Sequence, residues 1–134
     1  MKGNNMGIET FKDLRVWSSA HQLTLEIYKS TENFPKKEIF GVISQIRRSS
    51  VSVGANIAEG RKKSTKDFIR FLEIAQGFLE ETKYYLLLSF ELNYLVQEKF
   101  DQLSGLADDT GKMLSGLINK LKLNTYHVAR TTYH

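Results

Sequence analysis

Apolar residues recur along most of this chain at steps of three and four, the period that turns one stripe of an α-helix toward a core. The clearest run is Ile39, Ile43, Ile46, Ser50, Val53 and Ile57, spaced four, three, four, three and four. It predicts a long helix from Lys37 or Glu38 to Glu59, closed by Gly60 as a left-handed residue just past the C-terminus. Ser50 interrupts the stripe with a small side chain, and Ser49, Ser52, Gly54 and Ala55 surround it. Small residues let another backbone come close. A second line (Gln45, Arg48 or Ser49, Ser52, Asn56, Glu59) sets a polar face beside the apolar one.

Three further helices follow from the same pattern. The first runs from Lys12 or Asp13 to Glu32, with Leu14, Trp17, His21 or Ala20, Thr24, Ile27 or Tyr28, and Thr31 as its stripe; Val16 and Leu23 widen it. Asn33-Phe34-Pro35 ends it, because proline disfavours the helical conformation in the residue before it. Ser64-Thr65-Lys66-Asp67 resembles a capping box with Asp in place of Glu or Gln, and opens a third helix reaching Glu91 or Leu92. Phe68, Leu72 or Phe71, Ala75, Leu79, Thr82, Leu86 and Ser89 or Phe90 form its core face. Ile69, Ile74, Phe78, Tyr85 and Leu88 make it apolar on more than one side, which calls for burial against another subunit. A fourth helix, Gln97 to Leu121, carries Leu103, Leu106 or Ala107, Thr110, Leu114 or Met113, Leu117, Ile118 and Leu121. Short connections make sequential helices antiparallel, so the expected fold is an all-α, up-down-up-down four-helix bundle over residues 11–123. Residues 1–10 read as a disordered leader and 124–134 as a flexible tail.

A chain of 134 residues is long enough for one core without staples. The absence of cysteine removes disulfides and thiolate chemistry, and suits a reducing cytoplasm. The start of the chain has no apolar signal region, and the most apolar run, Tyr84 to Val96, is about half a membrane span and contains Glu91. A cytoplasmic protein with no membrane partner is the expectation. Net charge is only +4, but it is unevenly placed. Lys36 to Arg70 holds nine basic residues against three acids, Phe71 to Thr110 holds two against eight, and Gly111 to His134 holds four and no acid. One end of the fold is therefore expected to be positive.

Catalytic patterns are missing. A di-metal carboxylate bundle needs Glu-x-x-His pairs, and none occurs; His21 stands alone, with His127 and His134 in the tail. Gly105 and Gly111-Lys112 are one residue too far apart for a phosphate-binding loop, and Met113 replaces its Ser or Thr. No metal, cofactor or enzyme activity is expected. Gln45, Arg48, Asn56 and Glu59 admit two readings: a polar site, or structural groups that fix register, with Asn56 bonded to backbone or Gln45 and Glu59 paired with Arg48 or capping a neighbouring helix. The basic block of Arg47, Arg61, Lys62, Lys63, Lys66 and Arg70 is either a solvated face or a backbone-binding patch beside a helix N-terminus. No aromatic stacking platform accompanies it, so base readout on single strands is not expected.

Gln45-Ile46-Arg47-Arg48, Asn56-Ile57-Ala58-Glu59-Gly60 and Asp67-Phe68-Ile69-Arg70-Phe71-Leu72 resemble the signature of the bacterial four-helix-bundle family encoded in intervening sequences of 23S ribosomal RNA genes. Phe11 to Trp17, Phe34-Pro35 and Gly77 to Glu81 resemble its flanking signatures, so the resemblance covers roughly residues 10 to 122. That family is in turn similar to the accessory subunit of diversity-generating retroelements, a basic pentameric bundle that binds RNA and a reverse transcriptase. The resemblance implies a non-enzymatic homo-oligomer, a pentamer, that binds structured or ribosomal RNA through repeated basic patches and can partner a reverse transcriptase. Ser49, Ser52, Ala55, Ile74, Phe78 and Tyr85 are the expected oligomer interface. The alternative is a protein-interaction scaffold whose basic surface only solubilises it.

Overall fold

A computed structural model describes residues 10–132, with side chains for residues 10–124 other than Asp13. Four α-helices make up the fold: α1 (Arg15–Thr31), α2 (Val42–Gly60), α3 (Thr65–Glu91) and α4 (Gln97–Thr132). Short 3-10 turns at Phe11–Asp13 and Lys36–Glu38 precede the first two, and there is no strand among the described residues. The leader expected over residues 1–10 lies, apart from Thr10, outside them.

The boundaries of α3 follow the periodicity closely; those of α1, α2 and α4 shift for local reasons. Pro35 and the tight turn of Lys36–Glu38 hold the chain out of α geometry, and Gly41 (φ −108, ψ −121) leads into α2 only at Val42. Ile39 therefore leaves the predicted stripe and is 51% exposed, and Phe40 beside it is 91% exposed. Leu14, extended at φ −82 and ψ 125, separates the first turn from α1. The face that α1 buries is Val16, Ala20, Leu23, Ile27 and Thr31. Trp17 and Thr24 become its half-buried flank, while His21 is exposed, stacked 4.7 Å from the Trp17 ring. Helix α4 continues to Thr132, past the expected end at Leu121 and into the stretch from Asn124 that lacks periodicity. Loss of a buried face does not break a helix, and no proline or glycine follows Gly116.

The small residues of α2 are where its neighbours approach. Toward α1, the Thr24 hydroxyl donates to the Ser50 carbonyl at 3.0 Å. One turn on, a Cβ added at Gly54 would lie 3.4 Å from the Trp17 indole nitrogen. Toward α3, Ser49 Oγ and Thr82 Oγ1 are 2.8 Å apart, both residues with no exposed surface. The Gly60 position is tighter still. Gly60 is the last residue of α2, not a left-handed residue beyond it, and no described glycine has positive φ. Its need is steric: a Cβ there would sit 2.5 Å from Phe71 Cβ and 3.1 Å from the Phe68 ring. Asn93 (φ 66) provides the left-handed turn after α3, a conformation that asparagine tolerates better than most residues, and returns the Tyr94 N–H to the Ser89 carbonyl.

Cross-helix contacts run in opposite numerical sense between sequence neighbours. From α1 to α2 they pass through Thr31–Arg47, Thr24–Ser50 and Trp17–Gly54; from α2 to α3 through Gly60–Phe71 and Ser49–Thr82. From α3 to α4 they include Glu73–Lys122, Gln76–Ser115 and Lys83–Asp108, and α4 returns to α1 through a Ser19–Thr110 hydroxyl pair at 2.6 Å. The enclosed core includes Leu23, Ile27, Ile46, Val53, Ile57, Leu72, Leu79, Leu86, Leu103 and Leu114. At one pole Phe34 and Tyr94 pack ring to ring at 5.4 Å, and the Tyr94 hydroxyl donates to Glu38 Oε2 at 2.7 Å, joining the two interhelical connections.

Two glycines make a matched pair for measurement. Gly60→Ala places a methyl against Phe71 Cβ, an atom anchored to its own backbone, so the helices must part; the cost should be about 1–3 kcal/mol, outweighing better helix propensity. Gly77 lies exposed in α3 with nothing near its Cβ direction, and Gly77→Ala should stabilise by up to about 1 kcal/mol. Urea denaturation of both variants checks the sign of each.

The Tyr94 hydrogen bond, then the Val42 N–H, hold the Glu38 carboxyl below its ordinary value of 4.5. A lowered carboxyl stabilises the fold above its unfolded pKa and loses that contribution as pH falls through the lower, folded value. The stability difference between the parent and Tyr94→Phe should therefore narrow as pH drops below 4.5. A gap that stays constant in acid would refute the link.

Candidate nucleic-acid interface

The turn between α2 and α3 is short because both helices are stopped firmly. Gly60 brings α2 to its end against Phe71, and Arg61, Lys62 and Lys63 make the turn. Ser64 then caps α3, its hydroxyl accepting from the Asp67 N–H at 3.2 Å. Lys62, Lys63, Lys66 and Arg70 are exposed. Lys66 and Arg70 lie one helical turn apart, about 6 Å along the axis. Asp67 stands 3.9 Å from the Arg70 guanidinium and offsets part of its charge. Phe71 lies within the cluster, with Lys63 Nζ 5.7 Å and the Arg70 guanidinium 5.1 Å from its ring centre. An aromatic ring is thus present after all, but these cations flank it and its edge packs at Gly60.

Arg47 does not join this group. It lies fourteen residues before Arg61 on α2, roughly 20 Å away at 1.5 Å per residue. Its Nε donates to Thr31 Oγ1 at 2.9 Å, and its guanidinium covers the Tyr28 ring at 4.5 Å. Its role is to fasten α1 to the start of α2.

The pole gathers further cations that the block in the sequence did not contain. Phe11 lines a groove with Ala58 of the last turn of α2, which brings Lys12 and Arg15 to this end. Lys122 Nζ bonds Glu73 at 3.1 Å, one turn beyond Arg70, so the later part of α4 with Lys120 also arrives here. Helix direction was the available signal: the start of α1 and the end of α4 share the pole of the α2–α3 turn.

The polar face of α2 separates into distinct roles. Arg48 pairs with Glu81 of α3 and takes the Gln45 side-chain oxygen at 3.0 and 3.2 Å. The Tyr85 hydroxyl donates to the same Glu81 at 3.1 Å; burial and then that carboxylate push the phenol up. Glu59 is therefore not the partner of Arg48, and its side chain makes no hydrogen bond or ion pair among the described residues. Asn56 is half-buried and donates to the Ser52 carbonyl of its own helix at 2.8 Å, not to Gln45.

Of the expected interface residues, Ser49 is enclosed within the fold by its bond to Thr82 and has no surface to offer. Ala55 and Ile74 are exposed, while Ser52, Phe78 and Tyr85 are half-buried. Phe78 and Ile74 lie one and two turns before Glu81 on α3, as Ser52 and Asn56 lie one and two turns after Arg48 on α2.

Among the described residues no group of three or more His, Cys, Asp or Glu could hold a metal ion. No helix among them is long and apolar enough to cross a membrane.

The family model for 23S rRNA-intervening sequence proteins matches residues 12–116. The chain belongs to that family. A solved structure from Bacteroides thetaiotaomicron, of a protein of unknown function from the S23 ribosomal protein family, is 31% identical with a TM-score of 0.69. The match covers 77% of this chain and 97% of that one. No curated protein matches. Within the 23S rRNA-intervening sequence family match lie both the Gly60–Phe71 contact and the basic turn.

The geometry predicts a mild phenotype for Asn56. Its bond is local to one helix, so Asn56→Ala should cost less than about 1 kcal/mol, since alanine is the better helix former. Glu81→Ala should cost more, because it removes the ion-pair partner of Arg48 and the acceptor of the half-buried Tyr85 hydroxyl. Thermal melts of the two variants rank them.

Proposed function

We propose that this chain is a non-enzymatic RNA-binding accessory protein, built as an antiparallel up-down-up-down bundle and working as a homo-oligomer in the cytoplasm. The observation that carries the reading is the exposed basic turn, Lys62 and Lys63 followed by Lys66 and Arg70, held rigidly by the Gly60 contact and the Ser64 cap. Backbone phosphate is the natural ligand of such a group. The 23S rRNA link in the family's name makes ribosomal RNA the first candidate. The opposed contact numbering of successive helices supports the antiparallel arrangement.

Oligomer formation is supported by apolar side chains left exposed on α3: Ile74, Tyr84 and Leu87. A pentameric ring would repeat each modest patch five times, so that avidity compensates for a net charge of only +4. A reverse transcriptase as protein partner follows from the resemblance to retroelement accessory subunits. The scaffold reading has its own support at the opposite pole, where Ile39, Phe40, Leu92 and Val96 are exposed.

Binding should depend strongly on salt and weakly on sequence. Each neutralised phosphate adds about 0.9 to the log–log salt slope on duplex DNA and about 0.7 on single strands. Lys62→Ala/Lys63→Ala should weaken affinity for all RNA sequences equally and flatten the slope, with particle mass by light scattering unchanged and above the 15.4 kDa of one chain. A slope that survives the double substitution rules out the turn as the site. A particle mass of one chain rules out the oligomer.

A further inference from the structure

The basic turn is the centre of a wider charged end. Among the described residues Arg70 pairs with Asp67 and Lys122 with Glu73. Lys12 in the first 3-10 turn, Arg15 at the start of α1 and Lys120 on α4 are exposed and make no ion pair among the described residues. The same is true of Lys62, Lys63 and Lys66. These charges come from the first 3-10 turn, α1, the α2–α3 turn, α3 and α4. Packed helices lie about 8–10 Å apart, so the charges spread over an end about 20 Å across and not along a single line.

That layout suits one form of nucleic acid better than another. Single strands are held by a basic groove combined with open aromatic faces on which bases stack. Here the rings at the pole are already occupied. Lys63 and Arg70 flank Phe71, Phe68 packs at Gly60, and Trp17 is stacked on His21 with Phe11 at its edge. Double-helical RNA keeps its bases inside and presents phosphates on both sides of a groove, and proteins recognise it by shape and backbone. Cations separated across a broad end can reach both strands at once.

We infer that the ligand of this pole is a double-helical RNA segment, held by phosphates of both strands, with Lys12, Arg15 and Lys120 forming a second limb opposite the basic turn. The inference rests on the RNA-binding reading and adds to it the form of the RNA and three residues.

The test is a salt titration of two labelled RNAs of equal length, a perfect hairpin duplex and an unpaired strand. The proteins are the parent, Lys62→Ala/Lys63→Ala and Lys12→Ala/Arg15→Ala/Lys120→Ala, with circular dichroism and mass confirming that each is folded and assembled. The parent should prefer the hairpin by about tenfold or more at low salt, and the triple variant should lose about tenfold in hairpin affinity. The triple variant should also flatten the hairpin slope by about two to three phosphate equivalents while leaving the strand within about twofold. Equal affinity for strand and hairpin would overturn the inference. So would a triple variant unchanged on the hairpin; if the double variant is still weakened, the RNA-binding reading stands alone. A parent that binds neither RNA at low salt sinks both readings. Displacement of the hairpin by poly-glutamate at equal charge concentration would point to an acidic protein surface, and also overturns the inference.

Discussion

The close approach of α2 and α3 is the constraint on which the other features depend. At one end Gly60 lets the Phe71 side chain rest within 2.5 Å of where a Cβ would be; near the middle the Ser49 and Thr82 hydroxyls face each other directly at 2.8 Å. Bulky residues at these positions would separate the helices by the width of a side chain. The consequence reaches the surface. Because α2 ends tightly against the second turn of α3, the intervening turn cannot wander, and the cations of Arg61 to Lys66 are presented from a rigid base. Arg48 and Glu81 then meet along the outside of the same seam.

Buried hydroxyls are the second recurring device. Ser49 with Thr82, Ser19 with Thr110, and Thr31 beneath Arg47 each join two helices through a short polar side chain. Each hydroxyl of these threonines also donates to a carbonyl of its own helix, so little hydrogen-bonding capacity is wasted. Such pairs contribute modest net energy but penalise other registers, because a slipped helix would leave the groups unpaired in an apolar interior. They give a core of interchangeable Leu and Ile side chains a single alignment.

The two poles of the fold differ in chemistry. One collects the start of α1, the α2–α3 turn and the later part of α4, and is rich in lysine and arginine. The other is closed by Tyr94 on Glu38 and carries the exposed Ile39 and Phe40. One end is basic and the other apolar, and the accessory role proposed above draws on that asymmetry.

The chain's own pattern determined the helices and most of the core: Ile43, Ile46, Val53 and Ile57 on α2, and Leu72, Ala75, Leu79, Thr82 and Leu86 on α3, are all buried as their spacing requires. Periodicity reports burial directly, since a fixed helical step converts sequence position into facing direction. Family membership was legible for a related reason, because Asn56 to Gly60 is a run whose small terminal residue is demanded by packing. What periodicity could not supply was any fact that involves two elements. The run of positive charge grouped Arg47 with the basic turn, although helix length puts it near the other end of α2. The small residues of α2 put Ser49 at an oligomer interface, although Thr82 across the seam encloses it. One of the two structural readings of Glu59 paired it with Arg48, which instead meets Glu81, and Gly60 read as a conformational need when the need was space for Phe71. Lys12, Arg15 and Lys120 stand far from the basic block in the chain and join it only through the directions of α1 and α4. Local sequence sets which way a side chain faces on its own helix; which side chain it meets is decided by the packing of one helix against the next.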